Sequence, residues 1–353
     1  MRCVVVREHG GVDRLMIEVR PLPTPGAGQV RVQVRAIGLN HLDTWVRRGV
    51  PGHQFPLPLI PSSDASGVVD AVGPVVRGVK EGDEVVVLPG LSCGACEACH
   101  AGAAQLRRGD DLLGESCDGT SAQSVCVPEA NVAPKPTPLD FEDAASICLV
   151  FQTAWHMLVR RAELRPGEAV LVHAGLSGVG SAAVQIARVL GAQVIATAGG
   201  PEKCAKVAAL GAHHVIDYKA TDFTSEVRRL TGKAGVQVVF EHVGEETFAG
   251  SIKCLSRGGR VVTCGATTGG NVKLSLQQVF FKSLSVLGST MGSKGDLRQV
   301  LRMFEQGQLR AVLDRSLPMD QVAEAHRLLE AREAMGKAVA RAEEARAETV
   351  QAE

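Results

Sequence analysis

Cys93, Cys96 and Cys99 are separated by two residues each, which places three thiols within seven positions. Thiolates at this spacing suit a soft divalent cation such as zinc, and core packing has little use for three so close together. A second stretch with chemical character runs from Glu168 to Gly200, EAVLVHAGLSGVGSAAVQIARVLGAQVIATAGG. Gly175, Ser177, Gly178, Val179 and Gly180 follow the apolar run 169–173, and residues 182–190 then carry apolar side chains at helical spacing. A strand that feeds a glycine turn into a helix N-terminus cradles an anion. Its free N–H groups and helix dipole face a pyrophosphate, and side chains there would block the approach. Ser177 takes the middle glycine position of G-x-G-x-x-G, so the loop departs from the fingerprint. The glycines can also serve only to close a turn, but a β-branched run at 194–198 completes a βαβ unit and favours dinucleotide binding.

The elements that must position these groups fall into two kinds. Residues 1–133 are β-rich, with β-branched runs at 30–36, 66–72 and 84–88 divided by Pro and Gly. This predicts a compact, partly closed β unit. At PKPTP, residues 134–138, the character changes. Residues 141–164 read as one helix with acidic residues in its first turn. Strands are predicted at 169–173, 193–198, 214–217, 236–240, 259–264 and 284–288, with helices at 202–210, 225–230 and 247–254 between them. Six strands alternating with helices predict a doubly wound parallel sheet over 134–290, an α/β fold. Residues 291–340 read as helix, strand, helix, strand and return to the first unit. The Ala/Glu/Arg-rich tail 341–353 is given no function.

Composition excludes several classes. The 353 residues carry 38 Lys+Arg and 38 Asp+Glu, so no electrostatic case exists for nucleic acid or an anionic membrane as partner. Aromatics make up 3% of the chain, too few for base-stacking platforms. No apolar run is long enough to span a bilayer. The N-terminus reads directly into a strand with no signal peptide, and the ten cysteines are clustered or scattered in apolar runs. The expectation is a reduced, cytoplasmic protein.

GLNHLDTWVRRG, KEGDEVVV, the C-x2-C-x2-C lobe, LVFQTAW, the glycine turn and the terminal GKAVA together resemble the medium-chain dehydrogenase/reductase superfamily over about residues 1–340. Within it the chain looks most like the zinc-type alcohol dehydrogenase-like and quinone oxidoreductase branch. The resemblance implies a GroES-like catalytic domain, a Rossmann domain, and hydride transfer between a nicotinamide and a carbonyl or conjugated carbonyl. It also implies a homodimer, with the sixth strand pairing across it.

The match is broken at the catalytic zinc. The three positions that hold it in zinc alcohol dehydrogenases are Asn40, Ser63 and Leu149 here, and the proton-relay positions are Leu42 and Trp45. Asn, Ser and Leu do not hold zinc. A rescued site would need His41 and Cys148, which lie beside the lost positions. Asn40 then becomes a candidate catalytic residue, a hydrogen-bond donor to a substrate carbonyl or the nicotinamide ribose, or else a loop residue that caps its own backbone. Asp43 reads as a structural partner for an arginine or amide. At the structural zinc, Cys93, Cys96 and Cys99 are kept, but Arg107 stands at the family's fourth ligand position. Asp110, Asp111, His100 and Cys117 are the available substitutes.

The second Rossmann strand ends in Gly199 and Gly200 where an acidic residue would bind an NAD ribose. The resemblance implies that Lys203 and Tyr218 hold a 2′-phosphate, which favours NADPH over NADH. By position, His242 and Val243 should flank the adenine ribose, Gly265 and Ala266 should approach the nicotinamide, and Ser289, Thr290 and Met291 should cover its carboxamide side. Thr153 matches the family's nicotinamide-facing threonine. The function expected is an NADPH-dependent reductase of quinones, enones or related small carbonyls that works without catalytic zinc. The alternatives are a zinc-type alcohol dehydrogenase or aldehyde reductase with a non-standard site, and a catalytically silent NADPH-binding protein.

Overall fold

Strand Gln29–Gly38 alternates buried Val30, Val32 and Val34 with half-exposed Arg31 and Gln33, the period-2 pattern of a strand with one face on a core. The structure, a computed structural model, describes residues 1–107 and 111–342. Two compact units divide it. One comprises Met1–Gly94, Arg108–Leu149 and Ala311–Glu353, the other Ala95–Arg107 and Val150–Arg310.

In the first unit, Gln29–Gly38 is the hub of a seven-stranded sheet. Asp64–Val72 and Ser124–Pro128 pair with it antiparallel, as does Lys337–Arg341, which brings Leu313–Pro318 with it. Residues 311–340 therefore return to this unit. Gly38 lies opposite Asp64 on one side and Val339 on the other. That register carries the start of the Asp64 strand and the return strand to the same end of the sheet. A Cβ at Gly38 would lie 2.0 Å from the Ala145 carbonyl oxygen, so only glycine fits there. Val30, Val32, Ile37, Leu39, Val85, Val127 and Ala340 belong to the core beneath.

The second unit is a six-stranded parallel sheet. From one edge its strands are His214–Asp217, Gln193–Ala198, Ala169–Val172, Val236–Glu241, Leu255–Thr263 and Ser285–Gly288. This is the order 3-2-1-4-5-6 of the doubly wound dinucleotide fold, with its switch point between the first and fourth strands. Leu171, Ile195, Val239 and Val261 pack on one face against Val227, Phe248 and Ile252 of the crossover helices. All six strands lie within a few residues of the predicted positions.

Two expectations need correction. The helix expected over 141–164 is three pieces: Phe141–Ala145, Cys148–Trp155, and a wider π-helical turn at His156–Arg161. Ser146 ends the first piece by donating its hydroxyl to the Asp143 carbonyl, and the Leu149 N–H donates to the Asp64 carboxylate. Packing also divides the units at 149/150 and 310/311, where the sequence suggested 133/134 and 290/291. The cause is long-range. Phe141–Ala145 lies on the first unit's strands, and helix Lys294–Glu305 buries Phe304 against Phe151 with ring centroids 4.8 Å apart. Arg341 closes the last strand, and the expected tail lies outside the described residues from 343 onward.

Candidate functional site

The glycine turn is built as an anion cradle. Ser177 is the N-cap of helix Gly178–Val189, and its hydroxyl accepts the Gly180 N–H at 3.0 Å. Gly178 and Val179 are first-turn residues whose N–H groups have no partner within the helix. A Cβ at Gly180 would lie 2.2 Å from the Ala174 carbonyl oxygen, and one at Gly175 would press on Ala196 and Val207 at 3.0 Å. Glycine is therefore required for the helix to approach its strand, and these residues fit a dinucleotide pyrophosphate.

At the end of the second strand, Gly199 and Tyr218 come together. A Cβ on Gly199 would lie 2.7 Å from the Tyr218 hydroxyl and 3.2 Å from Lys219 Cε. Tyr218 is 49% exposed, so its phenol is open to a ligand. Lys203 sits half-buried in the first turn of helix Pro201–Ala209, which starts directly after Gly200. Asp217 went unread in the sequence. Its Oδ1 accepts the N–H groups of Gly200 at 2.9 Å and Lys219 at 3.0 Å, tying the two strand ends to each other.

The other predicted contacts gather along the same ends of the sheet. The His242 ring bonds the His173 carbonyl at 2.9 Å, and the Val243 N–H donates to Glu241. The Thr267 hydroxyl donates to the His242 carbonyl, which brings the 264–269 loop, with Gly265 and Ala266, beside His242 and Val243. The Ser289 N–H donates to Thr263. Thr290 is exposed, and Met291 takes a left-handed φ of 43°. Gln152 donates to the Gly292 carbonyl at 2.7 Å and so anchors that loop to the helix that carries the buried Thr153. Beneath them lies a network absent from the sequence reading. The His173 ring meets Ser251 at 2.9 Å, and Ser251 donates to Glu241 at 2.7 Å. Burial pushes His173 down to about 4, so its ring is neutral at pH 7.

In the first unit, two of the three blank zinc positions converge on one carboxylate. Asp64 accepts from Asn40 Nδ2 at 3.0 Å and from the Leu149 N–H at 2.9 Å. Ser63 turns away and donates to the Leu113 carbonyl at 2.7 Å. The charge facing Asp64 is Lys337, 5% exposed, with Nζ 3.7 Å from Asp64 Oδ2. Lys337 also donates to the Leu39 carbonyl at 2.7 Å and to Asn40 Oδ1 at 2.5 Å. Burial pushes the Asp64 carboxyl up and the Lys337 ammonium down, and each opposes the other's shift. Among the described residues no metal-binding group forms from His41 and Cys148. Burial, reinforced by Asp64, raises the Cys148 thiol well above its usual range. Asp43 takes the Asn40 N–H at 2.8 Å and the Ser62 hydroxyl at 3.2 Å, as an acceptor for an amide and not for an arginine. Burial raises its carboxyl to about 7. Lys337 went unread because only GKAVA as a block carried meaning in the sequence.

Cys93, Cys96 and Cys99 place their sulfurs within 4.8 Å of one another. Zn–S bonds of about 2.3 Å around a tetrahedron separate sulfurs by roughly 3.8 Å, so the group is near a zinc-thiolate arrangement. His100 and Cys117 fall outside the group. Asp110 and the Asp111 side chain lie outside the described residues.

Residues 26–137 match the alcohol dehydrogenase GroES-like domain, and residues 178–306 match the zinc-binding dehydrogenase domain. The chain is 30% identical over 333 residues to quinone oxidoreductase from Rattus norvegicus, covering 92% of this chain and 93% of that protein. A solved NAD-dependent alcohol dehydrogenase is 49% identical with a TM-score of 0.94, covering 97% of this chain and 100% of its own. A cobalt- and zinc-bound thermostable alcohol dehydrogenase from Pyrobaculum aerophilum is 32% identical with a TM-score of 0.88, covering 97% and 99%. The chain belongs to the medium-chain dehydrogenase/reductase superfamily, in its zinc-type alcohol dehydrogenase-like and quinone oxidoreductase branch. It is an NAD(P)H-dependent oxidoreductase of the zinc-independent type. Among the described residues no helix is long and apolar enough to cross a membrane.

Proposed function

We propose that the protein is an NADPH-dependent reductase of conjugated carbonyls, quinones or enones. The observation that carries this reading is the convergence of Asn40 and Leu149, two of the blank zinc positions, on the Asp64–Lys337 pair. A site without a Lewis acid favours acceptors whose own conjugation spreads the negative charge that hydride addition creates. When bound, the nicotinamide supplies that hydride. Gly178 to Gly180 would hold its pyrophosphate; Lys203 and Tyr218 would hold the 2′-phosphate. Thr153, His242, Val243, Gly265, Ala266 and Ser289 to Met291 would line the remainder of the dinucleotide. Asn40 would donate to the carbonyl oxygen. Cys93, Cys96 and Cys99 would hold a structural zinc. The first unit would serve as the catalytic domain and the second would bind the dinucleotide, in a cytoplasmic enzyme.

A homodimer is part of the reading. Ser285–Gly288 is an edge strand, and Leu276 at 71%, Phe280 at 61% and Phe281 at 67% stand exposed on the helix before it. The likeness to an NAD-dependent alcohol dehydrogenase supports a second reading, NADH with an alcohol or aldehyde.

Fluorescence titration with NADPH and NADH, on wild type and Lys203→Ala, separates the cofactors. Loss of one charged hydrogen bond should weaken NADPH about 10- to 100-fold and leave NADH nearly unchanged. NADPH oxidation is then followed with quinones, enones and aldehydes, and zinc is measured on the same preparation. Tighter NADH binding that Lys203→Ala does not change, with turnover of alcohols alone, would replace this reading by the second.

A further inference from the structure

We infer that Lys337 and Asp64 are positioning residues that lock the Asn40 side-chain amide with its nitrogen as the outward donor. An ammonium can only donate, and an ionised carboxylate can only accept. Lys337 Nζ donates to Asn40 Oδ1 at 2.5 Å, and Asp64 Oδ2 takes an Asn40 Nδ2 hydrogen at 3.0 Å. Flipping the amide would set its NH2 against the ammonium and its oxygen against the carboxylate. Both contacts would become repulsive in a buried site, where charge is poorly screened. One amide orientation is therefore allowed.

That orientation has a chemical consequence. The oxygen of Asn40 is committed to Lys337, and one N–H is committed to Asp64. Among the described residues the second N–H has only the Gly38 carbonyl at 3.4 Å, a long contact. It is the group left to meet a substrate oxygen. Donation from an ammonium into the amide oxygen also polarises the amide and strengthens its remaining N–H as a donor. The backbone supports the arrangement. Asn40 N–H is held by Asp43, and helix His41–Arg48 is pinned by buried Arg47 to Glu330 and to the Gly10 carbonyl. The inference rests on the proposed role of Asn40 toward a carbonyl.

Two variants test it. Lys337→Met removes the ammonium, and Lys337→Met with Asp64→Asn removes the carboxylate it faces as well, leaving Asp43, whose raised carboxyl can take a proton once the ammonium is gone. The first readout needs no cofactor: the side-chain amide 1H–15N signals of Asn40, assigned by their loss in Asn40→Ala. They are expected to move in both variants. The second is kinetic. Loss of an oriented donor should lower kcat by about 10- to 100-fold, with the NADPH Kd unchanged. The double variant should regain the wild-type melting temperature without regaining kcat. Wild-type kcat in the double variant, or Asn40 signals that stay in place in either variant, would overturn the inference. Wild-type protein that oxidises NADPH with none of the quinones, enones and aldehydes defeats the proposed function instead, and the amide signals still decide the positioning.

Discussion

Asp43 carries two hydrogen bonds on one carboxylate oxygen, and its other oxygen is buried without a partner. Burial is the main reason its carboxyl rises to about 7, and Asp64 adds to it. A raised carboxyl binds its proton in the folded state before the unfolded chain does. The stability it contributes is complete below the unfolded value near 3.8 and is lost as pH rises through about 7. Asp43→Asn keeps an oxygen for the Asn40 N–H and the Ser62 hydroxyl and has no proton to lose. Its stability relative to wild type should therefore climb by about 1.4 kcal/mol per pH unit between pH 5 and 7. Urea unfolding at pH 5, 6, 7 and 8 measures this, and parallel curves for the two proteins would contradict the assignment. The residue types at 40, 63 and 149 were legible as the loss of a metal site. That Asn40 and Leu149 serve one carboxylate was not, because no local rule links residues 40 and 149 to residue 64.

The turn and helix from His173 to Val189 form the element on which the proposed cofactor binding rests. Gly180→Ala would push a methyl to 2.2 Å from the Ala174 carbonyl and 2.8 Å from the Ser177 hydroxyl. The helix start must shift, which should cost about 1–3 kcal/mol and displace the N–H groups proposed to bind the pyrophosphate. Gly270→Ala, in the same unit, meets nothing within 4 Å and serves as the control. Thermal unfolding and dinucleotide titration of both variants are expected to separate them. Equal behaviour would show that the turn tolerates a side chain. This element was readable in advance because its signals are local: a β-branched run, a cap and helical spacing. The helix over 141–164 misled for the complementary reason. Its periodicity is continuous, but Asp64, 85 positions away, takes the Leu149 N–H.

For the whole molecule, the proposed dimer rests on the edge strand Ser285–Gly288 and on exposed Leu276, Phe280 and Phe281 of helix Leu276–Lys282. Edge strands pair unless charge blocks them. Val286→Glu with Phe281→Asp should convert a dimer to a monomer in sedimentation velocity, with little change in the fold by circular dichroism. A wild-type monomer at all concentrations would remove the dimer from the reading.

The sequence by itself determined all six Rossmann strands and the glycine turn, which follow from periodicity and turn chemistry that act over a few residues; the family resemblance marked Asn40, Ser63 and Leu149 as blank zinc positions. Tertiary structure alone decided what replaced the metal. Asn40 and Lys337 stand 297 positions apart, and their contact exists because the return strand pairs beside Gly38. Strand register, set by burial of the whole sheet, placed an ammonium and a carboxylate where the blank positions meet.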